Sequence, residues 1–243
     1  MLRIDDLDRE RYRTTYGTDV FETLRFLNVQ WNEGPQRLED VEKTWSQRHR
    51  MPLYNAALER LKISKAVFAC TCSRTQSGDC TCEQRNLSLD APNASWRLRT
   101  TEEPIGVQTI DDKIINASLP SEMKNFVVRR KDGLPAYQLA SVVDDLHFGI
   151  DLIVRGEDLW PSTLAQLYLA KQLGEVNFSA VAFYHHALLK NERGEKLSKS
   201  AGDTSIKHWR EEGKTLKQFL AQLGKCLNVT VENKDDLLKA FFV

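Results

Sequence analysis

Residues 127–174 read VVRRKDGLPAYQLASVVDDLHFGIDLIVRGEDLWPSTLAQLYLAKQLG, and this stretch alternates strand-like and helix-like segments. After the apolar VVRR segment and a turn at Gly133, residues 134–146 have the periodicity of a helix. The apolar run at residues 150–156 predicts a buried strand that ends at a glycine. Residues 161–174 begin with proline and end with glycine, which is how helices commonly start and stop. This alternation favours an α/β fold with a parallel sheet.

The rest of the chain also contains helical and strand-like patterns. Residues 8–30 have the apolar periodicity of a helix, carried by Tyr12, Tyr16, Val20, Leu24 and Leu27. Residues 45–62 predict a second helix, and a helical tail follows Ala201. The segments AVFAC, SWRLRT, FVVRR and SAVAFYHHALLK predict strands.

Composition limits the class of protein. The 243 residues contain 34 Lys and Arg and 34 Asp and Glu, so the formal net charge is zero. A nucleic-acid surface would therefore have to be a local basic patch. No apolar run approaches the roughly 20 residues that span a bilayer, and the charged N-terminal segment lacks the pattern of a signal peptide. We therefore expect a cytoplasmic protein without membrane contact, in a compartment where thiols stay reduced.

Four of the five cysteines lie in the segment CTCSRTQSGDCTC, residues 70–82. They form two C-x-C pairs joined by a short loop, at positions Cys70, Cys72, Cys80 and Cys82. Zinc binds four such ligands as a tetrahedron, whereas the alternatives are two disulfides or four thiols without a shared role. Reduced thiols favour zinc. Four protein ligands leave no open position for a substrate, so the predicted zinc is structural.

The segment NERGEKLSKSAGD, residues 191–203, contains two lysines three positions apart. Lys196 and Lys199 are flanked by Gly194 and Gly202. Such a loop is either a solvated basic turn or a mobile clamp for phosphates, with the glycines as hinges.

Several motifs together resemble class I aminoacyl-tRNA synthetases of the glutamyl group. They are LRIDDLDRERY at residues 2–12, SQR at 46–48, the stretch at 127–174, and EKLSKS at 195–200, in the family's order and spacing. The resemblance implies a Rossmann-like doubly wound parallel sheet with a zinc-bearing insertion and a short helical tail. The regions implied are a first part of the core at 1–62, the insertion at 63–125, a second part of the core at 126–200, and the tail at 201–243.

Within that group, the chain is most similar to glutamyl-queuosine tRNA(Asp) synthetases, because it has a cysteine hairpin and only residues 201–243 after the lysine loop. In the commonest zinc pattern of these enzymes a tyrosine stands where this chain has Cys80. The resemblance implies a monomer that activates glutamate with ATP and Mg²⁺ and transfers it to the queuosine base of tRNA(Asp). The alternatives are a catalytic fragment of a glutamyl-tRNA synthetase and an inactive, zinc-containing RNA-binding remnant.

The resemblance also implies roles for single residues. Lys199 and Lys196 would stabilise the charge that develops on the ATP phosphates, with Lys199 the stronger candidate. Tyr137 would face the substrate, and Ser141, one helical turn later, would line the same pocket. Arg155, at the end of a strand, would grip a carboxylate with two hydrogen bonds. Weaker candidates are Asp145 and Asp158.

The acidic run near the N-terminus carries one further implied role. Asp5 corresponds to an acidic position that contacts the ammonium group of the amino acid, where the family usually has glutamate. Asp6 and Asp8 are expected to cap a helix or to be exposed.

The family's second phosphate motif, H-x-G-H, is absent from the 243 residues. The segment HFGI at residues 147–150 is interpreted as a coincidence in a helix-to-strand connection, and His185 and His186 as core or loop histidines. We therefore expect the chain to lack the first strand and helix of the core and to activate ATP poorly. The explanations left open are an upstream start of an intact enzyme, an inactive truncated product, and an RNA-binding protein.

Overall fold

The computed structural model describes residues 1–10, 12–73, 80–189, 205–227, 229–231, 233 and 236. The helices are α1 (Thr14–Phe26), α2 (Leu38–Asp40), α3 (Met51–Ile63), α4 (Tyr137–His147), α5 (Trp160–Gln172), α6 (Ile206–Glu211) and α7 (Leu216–Leu227). The strands are β1 (Val67–Cys70), β2 (Ser95–Leu98), β3 (Ile105–Gln108), β4 (Ile114–Ala117), β5 (Val127–Arg129), β6 (Leu152–Gly156) and β7 (Ala182–His186).

The chain divides into two compact units. The first unit comprises residues 1–49 and 188–243, and the second comprises residues 50–187. The predicted division into four regions stays a prediction. The predicted phosphate loop with Lys196 and Lys199 lies outside the described residues. In the part of the chain that is described, no helix combines the length and apolar character needed to cross a bilayer.

In the first unit, the helix predicted within residues 8–30 is α1, but its buried residues are not the large apolar ones that carry the periodicity. The buried residues of α1 are Gly17 and Phe21, whereas Tyr16 is 64% exposed and Val20 38% exposed. A Cβ at Gly17 would lie 2.5 Å from Leu38 Cδ1, so a larger residue there would require the Leu38 side chain to move. The periodicity therefore predicted the helix, but not which of its residues are buried.

The predicted helical tail is confirmed within the described residues by α6 and α7. The ring of Phe219 on α7 lies edge-on to Phe26 at 6.3 Å and to Trp209 at 6.0 Å, measured between centroids. Arg210 on α6 forms ion pairs with Asp19 and Glu22 on α1. Aromatic packing and these ion pairs hold the two tail helices to the first unit.

In the second unit, the strands around the cysteine segment form an antiparallel sheet in the order β1-β2-β5. β1 pairs with β2 from Val67↔Leu98 to Cys70↔Ser95. The pairing of β2 with β5 shifts register between Trp96 and Arg97. A separate hairpin joins β3 to β4. The strands predicted at AVFAC, SWRLRT and FVVRR are confirmed, and all three pair antiparallel.

The parallel part of the fold is the pair β6–β7, with Arg155 opposite His185 and Gly156 opposite His186. One further parallel bridge joins Thr109 to Phe183. The α/β class is confirmed, but in the described strands the expected doubly wound parallel sheet is limited to this pair. β6 is also not the buried strand that was predicted, since Leu152 is 41% exposed and Val154 56% exposed. In the described part of the unit, β7 is the only strand paired with β6, and the face of β6 that carries Leu152 and Val154 meets solvent.

Helix α5 runs through the core of the second unit. Every residue from Ser162 to Ala170 is buried. A helix segment that is buried on every side must be surrounded by other elements. Two of the elements that pack against α5 are α4 and β3. This position brings polar side chains of α5 next to the ends of β6 and β7.

Candidate functional site

The segment LRIDDLD is tied to the segment SQR through Asp6. The Asp6 carboxylate, 1% exposed, accepts hydrogen bonds from Ser46 Oγ at 2.6 Å and from the Gln47 backbone N–H at 2.8 Å. Gln47 Oε1 in turn accepts from the backbone N–H groups of Asp6 and Leu7, at 3.1 and 3.3 Å. The expectation that Asp6 is a cap or an exposed charge is therefore wrong, because partners about 40 positions away bury it.

The N-cap of α1 is Arg13, so neither Asp6 nor Asp8 caps this helix. Asp5 has an exposed side chain that accepts a hydrogen bond from Arg3 Nε at 2.9 Å. Asp6 and Leu7 are both buried, whereas Asp5 before them is exposed. A solute can therefore reach the carboxylate of Asp5 but not that of Asp6.

A π-helical turn, Val41–Trp45, leads into the SQR segment, and such turns often occur at functional sites. The turn presents Glu42, whose carboxylate pairs with Arg9 at 3.1 Å and with Arg48. Sequence reasoning missed this charged group. In the sequence, Glu42 is visible only as an acidic residue four positions before the SQR segment.

The first two turns of α4 contain two of the predicted substrate residues. Tyr137 is half exposed, whereas Ser141 is 3% exposed. Ser141 Oγ has no hydrogen-bond partner among the described residues. Gln138 donates from Nε2 to Ser162 Oγ at 3.1 Å, which joins the start of α4 to the start of α5. Buried polar groups nearly always find a partner, so the Ser141 hydroxyl is available to a ligand or a water molecule.

Arg155 lies near the carboxyl end of β6, as predicted, and its guanidinium is oriented by two neighbours. Nη2 donates to Gln166 Oε1 at 2.8 Å, and the guanidinium carbon lies 5.1 Å from the centre of the Phe183 ring. Gln166 on α5 is 1% exposed. The guanidinium is thus held between a buried amide and an aromatic face.

His185 lies beside Arg155 on the neighbouring strand. Its Nε2 is 2.8 Å from Thr163 Oγ1 on α5, and its ring meets Trp160 edge-on at 5.0 Å. Burial, and then the positive charge of Arg155 and the neighbouring His186, lower the pKa of His185 below its ordinary value of 6.5. His185 is therefore uncharged near neutral pH and leaves Arg155 as the cation of this pair.

Sequence reasoning missed Gln166, Thr163 and Trp160. The signal for Gln166 and Thr163 was available, because polar residues inside the otherwise apolar helix PSTLAQLYLA must find a partner. His185 is half-buried in a cluster at the strand end, which agrees with its interpretation as a core or loop histidine.

The two weaker aspartate candidates both lie in the second unit. Asp145 is 8% exposed near the end of α4, and Asp158 is exposed in the short turn Glu157–Leu159. His147 ends α4, so the HFGI segment is a helix-to-strand connection, as predicted.

The neighbour of Asp145, Asp144, is a buried anchor that the sequence did not single out. Its carboxylate accepts from Arg50 Nε at 2.7 Å and Nη2 at 3.0 Å, and from Tyr54 Oη at 2.6 Å. Burial and then the Asp144 carboxylate raise the pKa of Tyr54, so Tyr54 stays protonated and donates. This network joins α3 to α4 and thereby holds the helix that carries Tyr137 and Ser141.

The four clustered cysteines meet in the second unit. Their sulfur atoms all lie within 4.8 Å of one another, and Cys70 and Cys82 are buried. Three Sγ–Sγ distances are 3.5 Å (Cys70–Cys80), 3.7 Å (Cys72–Cys80) and 3.5 Å (Cys72–Cys82). A tetrahedral zinc with Zn–S bonds of about 2.3 Å requires sulfurs roughly 3.8 Å apart. The four thiols therefore fit a metal ion of this kind.

Among the four clustered cysteines, Cys82 has a lowered thiol pKa. Burial opposes ionisation of Cys82, but hydrogen bonds from the Thr71 backbone and from the other thiols outweigh it and lower the pKa of Cys82 to about 6. Hydrogen bonding to Cys82, followed by burial, raises the pKa of Cys72 to about 12. Thiolates are the form that binds metal.

The comparison with known families decides the assignment. The profile described as "tRNA synthetases class I (E and Q), catalytic domain" matches residues 77–241. The chain belongs to this family. This confirms the resemblance inferred from the motifs and identifies the chain as a member of a family of aminoacyl-tRNA synthetase ligases.

Three curated relatives extend this finding. A glutamyl-Q tRNA(Asp) synthetase of Burkholderia cenocepacia is 35% identical over 222 residues, which cover 85% of this chain and 70% of the relative. One of Methylococcus capsulatus is 37% identical over 83% of this chain and 65% of the relative. Glutamate-tRNA ligase 2 of Syntrophus aciditrophicus is 28% identical over 99% of this chain. The chain spans 54% of that ligase, about half its length.

A solved structure supports the fold. Glutamate-tRNA synthetase from Elizabethkingia anophelis superposes with a TM-score of 0.67 over 91% of this chain and 53% of that chain, at 20% identity. The chain therefore has the fold of a class I synthetase catalytic domain, with mixed α and β structure.

Proposed function

We propose that the protein activates glutamate with ATP and Mg²⁺ and transfers it to the queuosine base of tRNA(Asp). The observation that carries this proposal is the family match over residues 77–241, together with an oriented arginine at the carboxyl end of a parallel strand. Open α/β sheets bind ligands at this end of their strands. The named glutamyl-Q tRNA(Asp) synthetases among the relatives support the choice of acceptor.

In this proposal, Arg155 binds a carboxylate of glutamate. A guanidinium matches a carboxylate with two parallel charge-assisted hydrogen bonds. Ser141 offers a buried hydroxyl that has no partner among the described residues, and Tyr137 an exposed phenol from the same helix. Asp5 would bind the ammonium group, since its carboxylate faces outward while that of Asp6 is buried.

The activation step joins the glutamate carboxylate to the α-phosphate of ATP and releases pyrophosphate. Negative charge grows on the phosphates in the transition state, and fixed cations stabilise it. We assign this role to Lys199, with Lys196 as a second cation. The support is the KLSKS motif in its family context, since the loop lies outside the described residues.

We further propose that the metal is a structural zinc bound by Cys70, Cys72, Cys80 and Cys82. The sulfur separations of 3.5–3.7 Å support this choice. A bound zinc would cross-link β1 to the segment after Cys80 and stabilise the fold there. We place the protein in the cytoplasm, where such thiols stay reduced, and expect it to act as a monomer.

One alternative has a specific observation in its favour. The match to a glutamate-tRNA ligase extends over 99% of the chain, so the acceptor could instead be the terminus of tRNA(Glu). An inactive, zinc-containing RNA-binding remnant is the other alternative. The three possibilities differ in whether glutamate is activated and which RNA receives it.

Two assays separate these possibilities. Glutamate-dependent pyrophosphate exchange without tRNA is measured on the 243-residue chain and on any longer product of the same reading frame. Transfer of labelled glutamate is then compared for tRNA(Asp) with queuosine, tRNA(Asp) without it, and tRNA(Glu). We expect exchange without tRNA and transfer only to the queuosine-bearing RNA. Efficient charging of tRNA(Glu) would favour the alternative acceptor, and zinc-loaded protein without exchange in any form would favour the remnant.

A further inference from the structure

The backbone of the first C-x-C pair is held by hydrogen bonds from three directions. Ser95, 6% exposed on β2, donates from Oγ to the Cys70 carbonyl at 3.0 Å. The N–H group of the same peptide unit, that of Thr71, donates to the sulfur of Cys82. The carbonyl of Thr71 accepts a hydrogen bond from Lys131 Nζ at 2.9 Å. Both peptide units of the C-x-C segment are therefore held, one by a hydroxyl and one by an ammonium group.

The antiparallel sheet β1-β2-β5 brings Lys131 to the cysteine cluster. Its register pairs Cys70 with Ser95, and the next residue on β2, Trp96, with Arg129 at the end of β5. The end of β5 therefore lies at the cysteine end of the sheet. Lys131 follows β5 by two residues, and 60 positions separate it from the carbonyl that it binds.

A metal ion bound by the four cysteines would leave the site with excess negative charge. Four thiolates contribute four negative charges and Zn²⁺ contributes two positive ones, so the loaded site has a formal charge of −2. The carboxylates of Glu83, beside Cys82, and of Asp132, beside Lys131, each form an ion pair with an arginine. The ammonium group of Lys131 instead contacts the cysteine segment itself.

We propose that Lys131 is the cation that compensates the negative charge of the metal-loaded cysteine site and thereby raises its affinity for zinc. This inference rests on the proposed structural zinc and assigns a role to a residue that contacts the backbone between two ligands, not the metal. Thr71 lies between these ligands, so its carbonyl holds the ammonium group within roughly 10 Å of the metal position. Metal binding deprotonates the thiols, so the attraction is strongest in the loaded state and favours it.

Three substitutions of Lys131 vary the charge at this position. Lys131→Met removes the charge and keeps an unbranched chain, Lys131→Arg keeps the charge, and Lys131→Glu reverses it. The matched control is Lys124→Met, because Lys124 is an exposed lysine just before the opposite end of β5. Zinc affinity is measured for each metal-free protein by competition with a chromophoric zinc chelator, at low and at high salt.

The expected effects follow from Coulomb attraction and its screening. Lys131→Met should weaken zinc binding about fivefold at low salt, and Lys131→Glu roughly 25-fold, because it changes the charge twice as much. The Debye length falls from about 30 Å at 0.01 M salt to about 3 Å at 1 M, so at high salt all variants should lie within about twofold of the parent. Lys131→Arg and Lys124→Met should match the parent at both salt concentrations. Thermal unfolding of the metal-free proteins should be nearly the same, since Lys131 is exposed.

The outcomes separate this inference from the proposed zinc site. A parent protein that binds no zinc although its four thiols are free overturns the proposed zinc site and the inference with it. A parent that binds zinc, with Lys131→Met and Lys131→Glu variants of the same affinity at low salt, overturns the inference alone. A loss of affinity that persists at high salt, or that Lys131→Arg shares, shows a structural role and also overturns it. If Lys131→Glu does not fold, the comparison of Lys131→Met with Lys131→Arg decides.

Discussion

Removal of the Asp144 carboxylate should destabilise the second unit severely. The side chain of Asp144 is 0% exposed and that of its partner Arg50 is 7% exposed. Asp144→Ala removes two hydrogen bonds from Arg50 and one from Tyr54, at 2.7, 3.0 and 2.6 Å. Breaking a buried ion pair by removing one partner costs about 3–5 kcal/mol, because the remaining charge stays in a poorly solvated place.

This cost is large compared with the whole stability of the protein. Domains are stable by about 5–15 kcal/mol, so the variant should lose a third or more of a typical value. In a chain of this size each kcal/mol corresponds to about 2–4 °C in the melting temperature, so the midpoint should fall by roughly 10–15 °C. Urea unfolding monitored by circular dichroism gives the free energy, and calorimetry gives the midpoint.

Matched variants test the reasoning. Asp144→Asn keeps an acceptor for Tyr54 and should cost less than Asp144→Ala. Asp151→Asn removes an exposed carboxylate from the same unit and should change stability by less than about 0.5 kcal/mol. The double variant Arg50→Met with Asp144→Leu should be more stable than the sum of the single losses predicts, since it leaves no charge behind. A loss below about 1 kcal/mol for Asp144→Ala would refute the argument.

Three further predictions concern the metal, the phosphate loop and pH. Protein purified without added zinc should contain close to one equivalent of zinc. The Cys80→Ser variant should have a lower zinc content and a lower melting temperature. Metal-free protein with an unchanged melting temperature would contradict this prediction. In the active form of the protein, Lys199→Ala should lower kcat for pyrophosphate exchange by about 10²–10³-fold. The control variant Lys217→Ala on α7 should leave kcat unchanged. If both variants lowered kcat equally, the phosphate loop would have no specific role. Because the pKa of His185 is lowered from 6.5 in the folded protein, the unfolded chain binds this proton more readily. Stability should therefore be lost as pH falls below about 6.5, and His185→Gln should lose that part of the pH dependence in thermal unfolding.

Several features could be read from short segments of the chain. The helices around residues 134–146 and 161–174 and the strand before Arg155 are confirmed close to their predicted bounds. Periodicity, turn glycines and an initial proline act within a few residues, so they are visible without tertiary contacts. The cluster of four cysteines was also predictable, because the two C-x-C pairs lie close together in the sequence.

Features that depend on distant partners were not predictable from the sequence. Adjacent aspartates look alike in sequence, yet Asp6 is buried because Ser46 and Gln47 bind it, and Asp144 because Arg50 and Tyr54 do. These partners lie about 40 and 90 positions away, and no local pattern specifies which carboxylate they meet.

Dependence on distant partners also explains why the sequence did not predict the buried faces of α1 and β6 or the amide of Gln166 that binds Arg155. Apolar periodicity identifies a face that can pack, but the neighbouring elements decide which face does. Gly17 rather than Tyr16 faces the interior of its unit, and β6 keeps one side in solvent. The sequence by itself determined the family, the helices and strand within residues 127–174, and the clustering of the four cysteines. Only the tertiary structure decided which of those groups are buried, paired and oriented, because burial and hydrogen bonding are properties of contacts between segments far apart in the chain.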